Sequence, residues 1–367
     1  MLNKLNSFFF PKIAISYNSS KEHISALDGL RGFAILLVLS FHTFHFMLGW
    51  CGVDLFFVLS GFLITGILID SKESDCYFSN FLLKRVLRIF PLYYLVLAII
   101  IVPKLFWGLN TVSYTSWTYW FYLQNWAYIF NGVFPDGRDT LNHFWSLAIE
   151  EQFYFLFPFI VKYIDKGNIP AVLLSLICVA IGTRYFHFSN QNIGYYVGTL
   201  SRMDSLSLGA LVAYAVRFNR LTLQKWTLPF FYLSLIYIVS ISAITQSVHF
   251  SNPYFATFGL TLFAVFFAAL LVFCILENNF VSKMFNIRAL KFIGKISYGL
   301  YIYHWILYVF MKPTLEKSVY NTFPYSITSK IITSILIIAF SILLSYFSFH
   351  YFEKPIINLK KTQSKFI

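Results

Sequence analysis

The chain has 367 residues, of which 58% are hydrophobic and only 12% charged. Soluble domains carry roughly a quarter charged residues, so a soluble globular protein is excluded. The net charge of +13 would suit a nucleic-acid partner, but the basic residues follow the borders of apolar segments, so none is expected.

Apolar stretches of about 20 residues, long enough to cross the hydrocarbon core, recur along the whole chain. Taken in order they predict spans at 32–49, 53–69, 90–108, 143–161, 169–187, 197–216, 227–244, 254–276, 296–311 and 325–351. The expected fold is therefore all-α, a polytopic integral membrane protein of about ten transmembrane helices. An even number of crossings puts both termini on one side. That side collects 21 of the 28 Lys and Arg, so the positive-inside rule makes it the cytoplasm.

The expected organisation is a cytoplasmic tail over 1–24, a membrane domain over 25–353 and a second cytoplasmic tail over 354–367. In the first tail, "FFFPKIAIS" is too short to span and is interrupted by Pro11; with no cleavable signal peptide visible, the first span serves as the insertion signal. The four cysteines show no CxxC spacing, so neither a disulfide framework nor a metal site is expected. The longest outer loop, about 109–142, is rich in Trp, Tyr and Asn, a composition suited to the membrane surface. Aromatics reach 21% of the chain, including 44 Phe and 25 Tyr, which predicts a ring-packed interior.

Ionisable groups inside spans cost a few kcal/mol each or more, so each needs an account. In "LDGLRGFAILLVLSFHTFHF", Arg31 and His42 are eleven residues apart. At 100° per residue that is about three turns plus 20°, and an axial separation of about 16 Å. Both side chains then share a face, Arg31 at the cytoplasmic edge and His42 past mid-membrane. A snorkelling arginine and a hydrogen-bonded core histidine are the alternative. The next span opens "GWCGVDLFFVLSGFLI", and the hairpin tip falls near Leu48 to Trp50. His42 and Asp54 should then lie at similar depth, where a carboxylate would orient an imidazole as in catalytic triads. Asp54 would equally serve as a helix N-cap.

"HFWSLAIEEQFYFLFPFIV" places His143 and Glu150 seven apart on one stripe, with Glu151 100° around the helix. At least one glutamate must face protein or water, in a functional role or in a buried salt bridge to Arg202 or Arg184. "SRMDSLSLG" and "GKISYGLYIYHWIL" add Arg202, Asp204, Tyr301 and His304; for His304, interhelical hydrogen bonding is the expected role. In the cytoplasmic loop "NFLLKRVLRIFPLYY", Arg85 and Arg88 share one face if the segment is helical. Two planar forks of donors suit phosphate, although a juxtamembrane stop signal or an anionic-lipid contact explains them as well.

Together these segments resemble the acyltransferase family 3 proteins, integral-membrane acyltransferases that modify O-antigen, peptidoglycan, Nod factors and some macrolides. The resemblance is carried by "LDGLRG…FH" with its R-x10-H spacing, "GVDLFFVLSGFLI", the RxxR of "RVLR", "FWSLAIEEQFY", "RMDSLSLGAL" and "ISYGLYIYH", in the family's order, and "FEKP" after the last span also fits. Tyr303 and Ala148 depart from common choices without touching a proposed chemical group. The resemblance implies a cytoplasmic acyl-CoA donor, acetyl-CoA being usual, no metal, and a carbohydrate or lipid-linked glycan acceptor outside. It implies a multi-pass protein of the bacterial cytoplasmic (inner) membrane, in contact with membrane lipids. Carried over by position, His42 is the catalytic histidine, as general base or transient acyl carrier, and Arg31 its R-x10-H partner on the donor's route. Arg85 and Arg88 would hold the CoA phosphates, while Asp54, Glu150 and Glu151 fall within the family's essential motifs. No SGNH hydrolase domain follows the last span, so a two-domain relay is not expected unless a separate protein supplies it. The alternative of another class is a transporter or flippase of lipid-linked sugar using the same polar core. Such proteins often carry inverted repeats, and no such symmetry is visible here.

Overall fold

A computed structural model describes residues 24–106, 115–135, 140–276, 279–322 and 326–363. The first tail, including "FFFPKIAIS", and the last four residues lie outside the described residues, as do parts of the 109–142 loop. Among the described residues the secondary structure is helical throughout, without strands. A backbone in hydrocarbon must satisfy its hydrogen bonds within its own segment, and a helix does so.

In chain order the helices are α1 (Ser25–Phe44), α2 (Gly52–Asp70), α3 (Tyr77–Phe106), α4 (Gln124–Asn131), α5 (Trp145–Tyr163), α6 (Ile169–Ser189), α7 (Gly194–Val197) and α8 (Met203–Phe218). There follow α9 (Arg220–Thr245), α10 (Leu260–Ile275), α11 (Phe280–Phe285), α12 (Arg288–Lys295), α13 (Ser297–Thr322), α14 (Ser326–Phe347) and α15 (Lys354–Gln363). Among the described residues seven helical segments are long and apolar enough to cross a membrane; they fall on α1, α2, α3, α6, α9, α10 and α14. The other predicted spans, 143–161, 197–216 and 296–311, correspond to α5, α8 and α13, which carry Glu150 and Glu151, Asp204, and Tyr301 and His304.

Three expectations change. The "NFLLKRVLR" segment is not a loop but the start of α3, which runs 30 residues through Pro91 and Pro103. Hydropathy marks only the apolar part of a helix, and at 1.5 Å per residue α3 is about 45 Å long, well beyond a 30 Å hydrocarbon core. The predicted span 197–216 is broken: α7 ends at Val197, Gly198 is extended, and a short turn over Leu200–Arg202 precedes α8. His143 lies in the 3-10 turn Asn142–Phe144 before α5, so the helical stripe expected for it with Glu150 does not exist.

The chain divides into two compact units, one comprising residues up to 38, 47–77 and 153–295, the other 39–46, 78–152 and 296 onward. In the first unit α2 packs along α8, with α6 and α10 also against α8. The α2–α8 contact is a backbone approach: a Cβ on Gly61 would overlap the Leu206 carbonyl, and one on Gly209 would overlap that of Val58. Small residues allow such contacts where lipid offers helices no hydrophobic drive to associate. The glycines of "LDGLRG" have the same cause, since Cβ atoms on Gly29 and Gly32 would strike the carbonyls of Phe285 and Leu290. In the second unit α13 packs against α14. There Ser334 of α14 donates to the Thr43 carbonyl in the last turn of α1 (3.0 Å).

Candidate active site

His42 occupies that last turn. The helix ends two residues later, His45 takes a left-handed backbone (φ 55°), and the Phe46 N–H closes on the Ser40 carbonyl at 3.0 Å. His42 is half-buried as a residue. Its Nδ1 lies 2.9 Å from Nε2 of His304, the two rings nearly parallel with centroids 5.1 Å apart. Trp305 covers it from another side at 4.7 Å and stacks in turn on Tyr308.

His304 is supplied by α13. Tyr301, His304, Trp305 and Tyr308 recur at i, i+3, i+4 and i+7, so they form one stripe. The buried His304 ring turns back on its own helix, where Nδ1 meets the carbonyls of Tyr301 (2.7 Å) and Leu300 (3.1 Å). A third imidazole completes the cluster: His143 stands edge-on to His304 at 5.2 Å and places Nε2 3.1 Å from the Ile302 carbonyl. Its Nδ1 is buried without a hydrogen-bond partner. The Tyr301 hydroxyl donates to the His143 carbonyl at 2.9 Å and also meets Ser146 Oγ. Three histidines from distant segments thus meet at one place, and His304 makes the interhelical hydrogen bond expected of it, to His42.

Asp54 pairs with Arg202. Its Oδ1 accepts from Arg202 at 2.6 Å and from Ser205 at 3.0 Å, with the Asp54 and Arg202 side chains fully buried. Nor is it an N-cap, since α2 starts two residues earlier and Cys51 holds the cap position. Similar depth beside a hairpin tip says nothing about which way a side chain points, and the guanidinium is the stronger partner for a carboxylate. The same applies to the salt bridges considered for the glutamates. Arg202 is held by Asp54 and by the faces of Phe57 (5.5 Å) and Tyr196 (5.2 Å). Arg184 bonds Asp204 (2.8 Å), the Thr257 and Ser201 carbonyls and the Thr261 hydroxyl. "RMDSLS" thereby anchors a buried polar core of the first unit, in which Asp54 Oδ2, Arg202 Nε and Nη1 and the Ser207 hydroxyl are left without a hydrogen-bond partner.

The remaining candidates fall as follows. Arg31 is bonded to Asp28 one turn earlier (2.8 Å), the "DGLR" spacing acting as an i,i+3 pair. Arg85 and Arg88 lie three residues apart near the start of α3, Arg85 half-buried over the Phe81 ring (5.9 Å) and Arg88 exposed. Glu150 and Glu151 lie about a third of the way along α5, both half-buried, and Glu151 keeps a buried Oε1 without a hydrogen-bond partner. Arg85 and Glu150 are the charges that act on it. The next residue, Gln152, has a role no sequence signal gave. Its amide nitrogen holds the Tyr122 carbonyl (2.7 Å) and Asn125 Oδ1 (3.1 Å), and its oxygen accepts from the Trp126 indole (3.2 Å). "EEQ" therefore fastens the ring-rich segment before α5 and leaves Glu151 unspent.

Helices throughout the described residues, several of them apolar and of membrane length, define a multi-pass membrane protein. Comparison with known families narrows this further. The family description "Acyltransferase domain" matches residues 24–350, and the chain belongs to acyltransferase family 3. It is 29% identical to the peptidoglycan O-acetyltransferase OatA of Listeria monocytogenes, over 92% of this chain and 56% of that protein. It is 32% identical to the putative peptidoglycan O-acetyltransferase YrhL of Bacillus subtilis, over 93% of this chain and 56% of that protein. It is 28% identical to the O-acetyltransferase OatA of Staphylococcus aureus, over 92% and 58% respectively. The chain thus spans little more than half the length of these curated relatives. No solved structure matches it.

Proposed function

We propose that the chain is a membrane O-acetyltransferase that moves an acetyl group from cytoplasmic acetyl-CoA to a hydroxyl of a cell-envelope carbohydrate on the outer side, with peptidoglycan the acceptor suggested by the relatives' names. The observation that carries this reading is His42 itself: a half-buried residue in the last turn of an apolar helix, its ring held at 2.9 Å by a buried imidazole.

In this reading the CoA phosphates stay with Arg85 and Arg88, because a polyanion cannot enter hydrocarbon, and Arg31 lies on the donor's route. The thin pantetheine arm carries the thioester inward. His42 removes the acceptor's hydroxyl proton as the oxygen attacks the thioester carbonyl. The C–S bond breaks as the C–O bond forms, and the departing CoA sulfur takes the proton from the imidazolium. An acyl-histidine route splits the same exchange into two steps, with the acetyl group resting on the imidazole in between. Asp54 is left as a structural partner of Arg202, while Glu150 and Glu151 stay with the site as groups of α5.

We take α5, α8 and α13 as crossings beside the seven long apolar helices, making ten, with both termini in the cytoplasm of a bacterium and the body in its inner membrane. The distribution of Lys and Arg supports that orientation.

The test uses the purified protein in lipid nanodiscs, radiolabelled acetyl-CoA and the disaccharide of N-acetylglucosamine and N-acetylmuramic acid as probe acceptor. CoA release that depends on the sugar, with label appearing on it, is expected, and a flippase would show neither. His42→Ala should lower transfer by at least about 10²-fold, the usual worth of a general base, while acetyl-CoA still binds. Turnover retained in that variant would reject the role of His42.

A further inference from the structure

The hydrogen bonds around His42 and His304 fix where the protons are. A carbonyl oxygen only accepts, so His304 Nδ1, facing the Tyr301 carbonyl at 2.7 Å and that of Leu300 at 3.1 Å, must carry a hydrogen. The Nε2 of a neutral His304 is then a bare lone pair. It lies 2.9 Å from His42 Nδ1, which must donate to it. Neutral His42 therefore carries its single proton on Nδ1 and presents Nε2 unprotonated. The neighbouring ring neither competes for this bond nor supplies a proton to it. His143 spends its own N–H on the Ile302 carbonyl, and its Nδ1 has no hydrogen-bond partner.

We propose that His304 is the positioning residue of the acyl-transfer site: by accepting the Nδ1 hydrogen of His42 it fixes the tautomer in which Nε2 is the reacting nitrogen. This role rests on the acyl-transfer reading of His42. It corresponds to what a carboxylate does for the histidine of a catalytic triad, with the helix backbone of Leu300 and Tyr301 standing behind the second imidazole. A neutral ring serves here because a charge is costly among apolar spans, whereas a carbonyl-anchored imidazole offers a directed lone pair with no charge. The group that sets the ring's own proton is the main-chain carbonyl three residues earlier on α13.

Two measurements test it. In histidine-labelled wild-type protein in lipid, nitrogen-15 solid-state NMR reports the protonated nitrogen of each neutral imidazole, and the His42 signals are identified by their loss in His42→Ala. An Nδ1–H, bare-Nε2 spectrum for His42 is expected; an Nε2–H spectrum overturns the proposal without touching the acyl-transfer reading. The second is a kinetic pair. His304→Leu fills the space but accepts nothing, and should lower kcat by about 10²-fold, as expected when a general base is disabled, with KM for acetyl-CoA within about twofold. His304→Gln brings an amide oxygen to the same place and should recover at least a factor of ten of that loss. If the two variants fall equally, or kcat follows thermal stability instead of the acceptor atom, His304 is structural only. Should His304→Leu not fold, the NMR result on the wild type decides alone. If His42→Ala retains transfer while the tautomer is as stated, the acyl-transfer reading fails and the geometry stands.

Discussion

Asp54 and Arg202, 148 residues apart in sequence, meet at 2.6 Å with no exposed surface on either side chain. Breaking a buried pair from one side leaves an uncompensated charge, at a cost of about 3–5 kcal/mol. Asp54→Ala should therefore lower the melting temperature sharply in detergent, and its loss of transfer should follow the loss of folded protein. Replacing both partners, Asp54→Leu with Arg202→Met, should recover much of the stability. If Asp54→Ala keeps the wild-type melting curve yet is inactive, Asp54 belongs to the chemistry after all.

The contact of α2 with α8 depends on two glycines. Gly209→Ala puts a methyl group on the Val58 carbonyl, whereas Gly182→Ala on α6 meets nothing within 4 Å. Overpacking costs about 1–3 kcal/mol, so the first variant should melt earlier. The second should be neutral or slightly stabilised, since alanine suits a helix better than glycine by about 0.5–1 kcal/mol. Thermal unfolding followed by size-exclusion chromatography compares them, and equal melting would show that the helices separate freely.

Arg85 and Arg88 form one basic face near the start of α3. If that face holds CoA phosphates, Arg85→Ala and Arg88→Ala should each raise KM for acetyl-CoA by about tenfold, the scale of one charge-assisted hydrogen bond. The turnover at saturation should change little. Acetyl-dephospho-CoA, which lacks the 3′-phosphate, separates this from an anionic-lipid contact. The affected arginine should matter less for the trimmed donor, whereas a lipid-binding role would give the same deficit with both donors.

Glu151 holds a buried carboxylate oxygen that no hydrogen bond satisfies. Unsatisfied buried polar atoms are costly and are tolerated chiefly at functional sites. Glu151→Met is expected to raise the melting temperature while reducing acetyl transfer by at least about tenfold, the trade between stability and activity found at strained sites. A variant as active as the wild type would place Glu151 outside the reaction.

The elements were legible in the sequence to different degrees, for physical reasons. The predicted spans 53–69 and 169–187 match α2 at Gly52–Asp70 and α6 at Ile169–Ser189 within a residue or two, because an uninterrupted apolar run in lipid has only the helix available. The start of α3 was missed by thirteen residues, since Tyr77–Ile89 is helical without being apolar throughout. The break before α8 was missed for a related reason: Gly198 and the turn at Leu200–Arg202 interrupt the backbone without interrupting the hydropathy.

By itself the sequence determined most of the long apolar helices and the family's motifs, both of which depend on spacing within one segment. It also singled out His42, Asp54 and His304 as polar residues needing partners. Which partner each one takes was decided only by tertiary structure. Asp54 reaches Arg202 across 148 residues, and His42 reaches His304 across 262. Periodicity assigns a side chain to a face of its own helix, but the helix that comes to lie against that face is chosen by the packing of glycines, rings and loops elsewhere in the chain.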